Sequence, residues 1–378
     1  MNIALLGHGV VGKGVSYILG KLQDKYHLPI KKILVKDEIE CIDSRMTLNI
    51  NDILEDETID IVVECMGGIE PAHQYVLEAL KKGKHVVTSN KKMLATYAEE
   101  LLSVASKQGV NLLYEASCGG GIPWMENIHR IKRIDQIHNL SGIFNGTTNY
   151  ILWRMQEASL SLEEALEEAK KLGYAERDAS DDLLGFDVRY KVALSIMEAF
   201  NVIVDMDSIP TIGIENIQKE DIAFALDRGY VCKLIGKAEL NGHLSASVLP
   251  VFLKKNHFLA AIERNDNALS CESSYLGKAS FVGQGAGSLP TAHAIVQNIM
   301  DILEGRKIYR TMQKKEILLE NEKKQYYIRC AKKEALKEYI QEEINEMSFL
   351  SKEMKLEEIV RLNQEIEDKK RFIAEVEK

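Results

Sequence analysis

The sequence predicts an α/β protein that begins with a doubly wound parallel sheet, continues with an α+β region and ends in a small tail that is either α+β or helical. Up to about residue 114, short β-rich runs alternate with amphipathic segments, which is typical of parallel strands joined by helical crossovers. Beyond Pro123, helical segments come first, and two long β-rich runs then meet at Asn241-Gly242, a hairpin turn sequence. The stretch 311–378 contains neither Gly nor Pro and is almost half charged, so it differs from both.

The alternation places individual elements. The predicted strands of the first region are Asn2–Leu6, Lys32–Val35, Ile59–Cys65, His85–Thr88 and Val110–Tyr114, and its clearest helices are Ala72–Lys82 and Met93–Gln108. The second region has predicted helices at about 147–157, 161–172 and 181–200, followed by strands Tyr230–Leu240 and His243–Leu253. Helix Pro290–Leu303 is expected to pack back on the first region. We therefore predict domains at 1–125 (completed by helix 289–305), 126–288 and 311–378.

Composition narrows the class of protein. The chain has 378 residues and a net charge of -9, which disfavours nucleic acid or an anionic membrane as a partner. No apolar run approaches the length of a spanning helix, and the apolar start has no basic leader. The six cysteines are scattered without the paired spacing of a zinc site or a disulfide framework. These features predict a cytoplasmic protein.

A glycine-rich turn follows the first strand. Gly7-His8-Gly9-Val10-Val11-Gly12 is a G-x-G-x-x-G sequence that opens a helical segment, the setting in which this pattern binds a dinucleotide. The first glycine permits a tight turn, the second lets the backbone approach a pyrophosphate, and the third lets the helix pack closely. We therefore predict a Rossmann-type domain that binds a nicotinamide dinucleotide through Gly7, Gly9, Val10, Val11 and Gly12.

The end of the second strand bears on the choice between NAD and NADP. An acidic residue there accepts the ribose hydroxyls, whereas a cation favours the 2′-phosphate. Lys36 and Asp37 offer one of each, and strand alternation allows only one to face the ribose. We favour Lys36 and NADP, with NAD as the alternative; His8 receives no role.

Several further segments resemble one enzyme family. They lie in the family's order over about residues 1–305: Asp60–Gly68, Val87–Lys92, Glu115–Pro123, Gly142–Tyr150, Gly173–Asp178, Asp181–Lys191 and Gly283–Gly287. Together they resemble the homoserine dehydrogenases. The resemblance implies NAD(P)-dependent interconversion of L-aspartate 4-semialdehyde and L-homoserine, in the biosynthesis of threonine, methionine and isoleucine. It also implies that the second domain is catalytic and dimerising, in a homodimer or homotetramer.

The most informative pair for catalysis is Asp187 and Lys191. Residues four apart in a helix project from one face, although most such pairs are ordinary surface ion pairs. Glu176, Asp178, Asp181 and Asp182 crowd the neighbouring segment, where so many carboxylates would repel one another without a cationic partner or substrate. By resemblance, Lys191 donates the proton and Asp187 orients Lys191 or a water.

The resemblance also assigns binding residues. Glu176 would hold the substrate ammonium with help from Asp182, and Lys91, or Lys92 if the register is off by one, would reach both cofactor and substrate. Thr147 would touch the substrate, unless Asn145–Asn149 is only a helix cap. The implied cofactor contacts further include Gly67, Ser89, Gly285 and Gly287. A monovalent cation such as Na⁺ would bind main-chain carbonyls of Glu115, Cys118, Gly120 and Ile122.

Two other functions compete. An aspartate semialdehyde dehydrogenase forms a thioester and needs an activated cysteine with a histidine base, but no His is near Cys118 in sequence. A dinucleotide-binding sensor that has lost catalysis would not need Glu176, Asp187, Lys191 and Lys91 together.

The tail resembles the ACT regulatory module, a βαββαβ fold that binds an amino-acid effector. Predicted elements are a strand at Gln325–Cys330, a helix at 332–345, a strand at Met347–Leu350, a helix at 355–368 and a strand at Arg371–Val376. One central strand is expected to be short or missing, and the Pro-Gly turn after the first strand is absent. We interpret the tail as a truncated module that serves subunit contact rather than effector sensing, with a long helix or coiled coil as the alternative.

Overall fold

The structure, a computed structural model, describes residues 1–40, 43–308, 312–319, 322–331, 333–366 and 368–377, with only the backbone of Ala335. Cys41 lies outside the described residues, and the other five cysteines are free thiols. The chain forms two compact units: residues 1–134, 193–203 and 283–314 make the first, and residues 135–192, 204–282 and 315–378 the second. Within the described part of the chain, every helix is too short or too polar to cross a bilayer.

The strands, in chain order, are β1 (Ile3–Leu6), β2 (Ile30–Leu34), β3 (Met46–Thr47), β4 (Ile61–Glu64), β5 (His85–Thr88), β6 (Leu112–Leu113), β7 (Ile137–Ile143), β8 (Val202–Ile203), β9 (Tyr230–Asn241), β10 (His243–Lys254), β11 (Asp266–Ser273), β12 (Gly277–Gln284), β13 (Gln313–Lys314), β14 (Lys323–Arg329), β15 (Ile340–Glu343), β16 (Ser348–Ser351), β17 (Met354–Lys355) and β18 (Phe372–Val376).

The helices are α1 (Val10–Tyr26), α2 (Asn51–Leu54), α3 (Ala72–Lys81), α4 (Lys91–Gln108), α5 (Trp124–Ile131), α6 (Gly146–Ala158), α7 (Leu162–Lys171), α8 (Ser180–Leu183), α9 (Phe186–Phe200), α10 (Lys219–Asp227), α11 (Ser288–Leu303) and α12 (Leu356–Glu365). Short 3-10 helices lie at Glu38–Glu40, Glu115–Ser117, Met206–Ser208, Phe258–Ala261 and Lys333–Tyr339.

The first unit is built on a six-stranded parallel sheet. Its order is β3-β2-β1-β4-β5-β6, so β1 has β2 on one side and β4 on the other. The connections therefore reverse direction beside β1, and ligands of doubly wound sheets bind at the strand ends next to such a reversal. This arrangement confirms the predicted fold class; β3, with two residues, was not predicted.

Helix α11 packs on this sheet together with α1. Val15, Ile33, Ile61, Ile295 and Ile299 belong to one buried cluster. A Cβ at Gly14 of α1 would lie 2.8–2.9 Å from Ser288 and Ala292, so a glycine is needed for α11 to approach α1. The helix predicted at Pro290–Leu303 therefore exists and completes the first unit.

The second unit carries a ten-stranded sheet. Its order is β12-β11-β7-β9-β10-β18-β14-β16-β15, and β17 pairs with β14. The long hairpin β9–β10 turns at Gly242, whose φ of 74° is in the left-handed region that favours glycine. The helix predicted at 181–200 is divided into α8 and α9, because Gly185 between them has a φ of 80°.

The tail is α+β, and the long helical alternative is wrong. Strand β18 lies between β10 and β14, parallel to β10 and antiparallel to β14, so the tail extends the sheet of its own unit. The helix predicted at 332–345 is also wrong, and Lys332 lies outside the described residues. A 3-10 helix and strand β15 occupy most of this range. Strand β15, which pairs with β16, is the strand in the middle of the βαββαβ order that was expected to be short or missing. Pairing with β16 overrides the helical propensity of this charged segment.

Candidate active site

The glycine turn has the geometry that its pattern predicts. Gly7 has a φ of 98°, and a Cβ on Gly12 would overlap the carbonyl oxygen of Gly7, so both positions require glycine. A Cβ on Gly9 would meet nothing within 4 Å, which leaves open space beside the turn. The N-cap of α1 is Gly9, which has no side chain to cap the helix. Open space in front of a helix N-terminus suits a pyrophosphate, so the residues present fit a dinucleotide.

The segment before α11 lies next to this turn. The Ser288 hydroxyl donates to the carbonyl oxygen of Val10 at 2.7 Å, and Gly287 is the N-cap of α11. Gly285 packs so closely on Gly120 that a Cβ on Gly120 would overlap it. The structure therefore brings Gly287 near the Gly7–Gly12 turn and Gly285 against the glycine-rich turn at 119–121.

The end of β2 is polar and exposed. Lys36 and Asp37 are both exposed, so burial does not decide between them. His8 lies in the same region: its Nε2 is 3.3 Å from the Ser16 hydroxyl, and burial together with Lys13 and Arg45 lowers its pKa. Arg45, in the loop before β3 and paired with Asp43, is a cation that the sequence interpretation did not consider.

Glu64 lies at the end of β4 with its side chain fully buried. It accepts hydrogen bonds from the Met66 N–H at 2.8 Å, the Thr88 hydroxyl at 2.5 Å and the Asn90 amide at 3.4 Å. Burial raises the pKa of this carboxyl, and the hydrogen bonds partly offset that effect. Glu64 thus ties together the loops that follow β4 and β5, and sequence reasoning missed it.

The predicted residues Gly67, Ser89 and Lys91 lie on these two loops. Asn90 is the N-cap of α4, where its side chain accepts from the Met93 N–H at 3.1 Å, and its amide donates to the carbonyl of Gly68 at 2.6 Å. Lys91 and its neighbour Lys92 are both half-buried in the first turn of α4. Gly67, Ser89 and Lys91 therefore lie at the carboxyl ends of neighbouring parallel strands.

The second unit brings together Lys191 and Asp187. The Lys191 Nζ lies 2.8 Å from Asp187 Oδ2, and the two side chains are 10% and 6% exposed. The same ammonium donates to the carbonyl oxygen of Phe144 at 2.7 Å, and the amide of Asn267 donates to that oxygen at 2.8 Å. A pair buried to this degree is unlike an ordinary surface ion pair, since its charges are held in place with little water.

Asn145 joins this pair to a second carboxylate. Its side-chain amide donates to Asp182 Oδ1 at 2.6 Å and to Asp187 Oδ2 at 2.8 Å. Its side-chain oxygen accepts from the Thr148 N–H at 2.7 Å and so caps α6. Asn145 is therefore the N-cap of α6, as the structural alternative for Asn145–Asn149 predicted. It also donates to two carboxylates, and the sequence could not predict these contacts.

Thr147 and the acidic residues of the neighbouring segment differ in their contacts and in their burial. The Thr147 hydroxyl donates to the carbonyl oxygen of Tyr174 at 2.6 Å, which anchors the segment that leads to Glu176. Glu176 and Asp178 are exposed, whereas Asp181 and Asp182 are half-buried. The four carboxylates therefore differ in exposure, and Asp182 shares the Asn145 amide as a donor with Asp187.

The turn proposed to hold a cation is irregular. Gly119 and Gly120 have φ angles of 85° and 56°, and the carbonyl of Ile122 accepts from the Trp124 N–H at 2.7 Å. The Glu115 side chain caps α5, accepting from the N–H groups of Met125 and Glu126 at 3.1 and 2.7 Å, and burial raises its pKa to about 8. Among the described residues, no group of three or more His, Cys, Asp or Glu could hold a metal ion.

Cys118 is fully buried in this turn. Its Sγ lies 3.8 Å from the hydroxyl of Ser195, which also accepts from the Trp124 indole N–H at 2.9 Å. A hydroxyl in that position does not turn a thiol into a thiolate. The contact therefore gives no support to a thioester mechanism.

Family models match both regions of the chain. Residues 7–115 match the NAD-binding domain of homoserine dehydrogenase, and residues 123–300 match homoserine dehydrogenase itself. The homoserine dehydrogenase of Bacillus subtilis is 37% identical over 320 residues, which are 82% of this chain and 74% of that protein. That of Lactococcus lactis is 38% identical over 321 residues, which are 81% of this chain and 75% of that protein.

Solved structures agree with these matches. A homoserine dehydrogenase from Thiobacillus denitrificans superposes with a TM-score of 0.89 at 27% identity, and the match covers 100% of this chain and 98% of that one. The S. aureus homoserine dehydrogenase at pH 8.5 gives a TM-score of 0.78 at 33% identity, with the same coverage. Since both regions and the curated relatives point to one family, the chain belongs to the homoserine dehydrogenases, NAD(P)-dependent oxidoreductases.

Proposed function

We propose that Lys191 is the acid–base residue with which this enzyme interconverts L-aspartate 4-semialdehyde and L-homoserine. The observation that carries the proposal is the buried Lys191–Asp187 pair, with Nζ 2.8 Å from Oδ2. The nicotinamide, when bound, supplies or takes the hydride at the carbonyl carbon. The pathway consequence is a step in the biosynthesis of threonine, methionine and isoleucine.

The protein's own contribution is a positioned proton. Asp187 Oδ2 and the Phe144 carbonyl hold the Lys191 ammonium from two sides, at 2.8 and 2.7 Å. An ammonium held in a defined place can give a proton to an alkoxide oxygen in the reducing direction and regain it in the other. Asp187 orients the ammonium through the hydrogen bond from Nζ to Oδ2.

Binding of the amino-acid end uses opposite charge. We assign the substrate ammonium to Glu176 and Asp182, and further substrate contacts to Thr147 and Lys91. Glu176 is exposed and Thr147 fixes the carbonyl of Tyr174, so the segment that carries Glu176 is anchored at its base. A pair of carboxylates binds a substrate with a charged α-amino group more tightly than an aldehyde that lacks this charge, which gives specificity for the amino acid.

We assign the cofactor to Gly7, Gly9, Val10, Val11, Gly12, Gly67, Ser89, Lys91, Gly285 and Gly287. NADP is the preferred form in this proposal, with Lys36 as the cation at the 2′-phosphate. The position of Lys36 just after β2, where a cation can meet a 2′-phosphate, supports the assignment. Replacement of Lys36 by Ala should raise the KM for NADP and leave the KM for NAD unchanged; equal effects on both would refute it.

A monovalent cation such as Na⁺ is proposed at the carbonyls of Glu115, Cys118, Gly120 and Ile122. The left-handed backbone at Gly119 and Gly120 supports this, since such an irregular turn places its carbonyls outside regular helices and strands. Activity should fall when Na⁺ and K⁺ are replaced by tetramethylammonium. Unchanged activity would remove the cation from the proposal.

The assembly and the tail are proposed together. We propose domains 1–125, 126–288 and 311–378, a homodimer or homotetramer working in the cytoplasm, and a tail that serves subunit contact rather than effector sensing. The five described cysteines, all free thiols, support a reducing compartment. Strong inhibition by threonine at physiological concentration would contradict the role of the tail, and a monomer by light scattering would contradict the assembly.

The central test follows nicotinamide absorbance with homoserine as substrate. Lys191→Met should lower kcat by about 10²–10⁴-fold while cofactor binding persists, because the proton donor is lost and the glycine turn is untouched. Lys219→Met is the matched control, since Lys219 is a half-exposed lysine of the same unit that pairs with Glu164. Unchanged turnover in Lys191→Met would refute the assignment, whereas a wild-type protein that binds the cofactor but shows no turnover would favour a noncatalytic sensor.

A further inference from the structure

We propose that Asn145 is a positioning residue that fixes Asp182 and Asp187 relative to Lys191, in addition to capping α6. The proposal rests on the function proposed above. Its basis is that one amide side chain, 4% exposed, contacts two carboxylates and a helix end at the same time.

The orientation of the amide is determined by the helix. The Oδ1 atom accepts from the N–H and the hydroxyl of Thr148, at 2.7 and 2.9 Å. An N–H cannot be satisfied by an amide NH₂, so the cap requires the oxygen on that side. The NH₂ group must then face Asp182 and Asp187, at 2.6 and 2.8 Å. Both ends of the side chain are therefore committed.

The shared amide has an electrostatic consequence. Two carboxylates that approach one NH₂ group repel each other, and one of them would tend to take up a proton unless donors stabilise both charges. The amide gives each carboxylate one N–H. Asn145 thus favours the state in which Asp182 is charged toward the substrate ammonium while Asp187 is charged toward Lys191.

The position of the Lys191 ammonium depends on the same segment. Asp187 Oδ2 accepts from both Asn145 and Lys191, and the carbonyl of Phe144, the preceding residue, also accepts from Lys191. Asn267 donates to that carbonyl at 2.8 Å and holds it in place. Residues 144 and 145 therefore orient Lys191 once through the main chain and once through Asp187.

Few side chains can fill this position. Ser, Thr and Asp are good N-caps but lack an NH₂ group that can reach two carboxylates. Gln has the amide but is a poor cap at this point of a helix. Asn alone combines a strong cap with two donors, so substitutions can separate the two roles.

The test compares Asn145→Ser with Ser161→Ala. Ser161 caps α7 in the same unit through a capping box with Glu164. The hydrogen bonds of this cap join Ser161 to Glu164, and they do not involve Asp182 or Asp187. We expect Asn145→Ser to keep most of its cap but to lose about 10²-fold in kcat/KM for homoserine, since a small misplacement of catalytic groups costs that much. The acid limb of its pH–rate profile should move to higher pH, because Asp182 and Asp187 would each lose the hydrogen bond from the Asn145 amide that favours the charged form.

The control separates stability from catalysis. Ser161→Ala should unfold at a lower urea concentration than the wild type, with wild-type turnover and an unshifted pH profile. If Asn145→Ser keeps wild-type kcat/KM and the wild-type acid limb, the proposal is overturned. Should the serine variant not fold, Asn145→Asp keeps the cap and places a third carboxylate beside the two; wild-type turnover in that variant overturns the proposal equally.

The outcome can be distinguished from failure of the proposed function. A silent Asn145→Ser beside an inactive Lys191→Met removes only the positioning role. An active Lys191→Met removes the proton donor itself, whatever Asn145 does.

Discussion

The buried ion pair between Arg329 of the tail and Asp221 of α10 tests whether the tail is part of the second unit. The Arg329 side chain is 4% exposed and that of Asp221 0%. Two guanidinium nitrogens of Arg329 donate to the Asp221 carboxylate, Nε at 2.8 Å and Nη2 at 3.0 Å. The Tyr327 hydroxyl donates to the same carboxylate at 2.8 Å. The guanidinium also donates to the carbonyls of Asn216 and Lys370, at 2.6 and 2.8 Å.

Replacing Arg329 by Met should be strongly destabilising. Asp221 would remain buried with its charge unpaired, and removal of one partner of such a pair costs about 3–5 kcal/mol. For a unit of this size the corresponding fall in the melting temperature is about 10 °C. The carbonyls of Asn216 and Lys370 would also lose their donors, which acts in the same direction.

Urea unfolding followed by circular dichroism measures the effect. Arg228→Met is the matched control, because Arg228 pairs with the tail residue Glu342 while both are about half exposed. Such a pair contributes less than about 1 kcal/mol. The double variant Arg329→Met/Asp221→Leu should recover part of the loss, since no charge is then left unpaired. If Arg329→Met and Arg228→Met unfold at the same urea concentration, the reasoning is refuted.

Three other variants test particular contacts. Cys118→Ser should keep most of the turnover, because the buried thiol lies beside the Ser195 hydroxyl, which does not activate it as a nucleophile; loss of activity would support thioester chemistry. Gly12→Ala should weaken cofactor binding in a fluorescence titration at least about tenfold, because its Cβ would overlap the Gly7 carbonyl. Its control Gly20→Ala, in open space in α1, should bind normally and be more stable by about 0.5–1 kcal/mol. Burial lowers the pKa of Lys233 to about 8, so the folded state loses this proton before the unfolded state as the pH rises. The buried charge of Lys233 destabilises the folded state fully below pH 8, and this effect fades toward pH 10. Between these pH values the free energy of unfolding of the wild type should rise by about 3 kcal/mol more than that of Lys233→Met. The same pH dependence in both proteins would contradict this prediction.

The sequence predicted the first unit well, since its strands and helices repeat with clear periods and its glycines follow a known turn. It failed where distant residues decide the local structure. Strand β15 is charged and exposed along most of its length, and only pairing with β16 makes it a strand. Likewise, a Cβ on Gly185, between α8 and α9, would lie 3.1–3.3 Å from Thr211 and Val248, which are far away in sequence.

The same distinction applies to the candidate site. The i, i+4 spacing predicted that Lys191 and Asp187 meet, because a helix determines that relation locally. The part of Asn145 in this cluster depends on contacts across 37 and 42 positions, and that of Glu64 on contacts across 24 and 26. No local sequence pattern marks such residues. What they share is a buried polar side chain at the end of a strand or helix.

Strand β18 pairs with β10 at Val251 and Phe252 and thereby affects how the protein is made. Until synthesis has passed residue 376, β10 has one flank without a partner strand over Val251 and Phe252. An uncovered flank of an apolar strand is a template for pairing with other chains. The nascent protein would therefore be prone to aggregate in the interval between synthesis of β10 and synthesis of β18, while its sheet is still open.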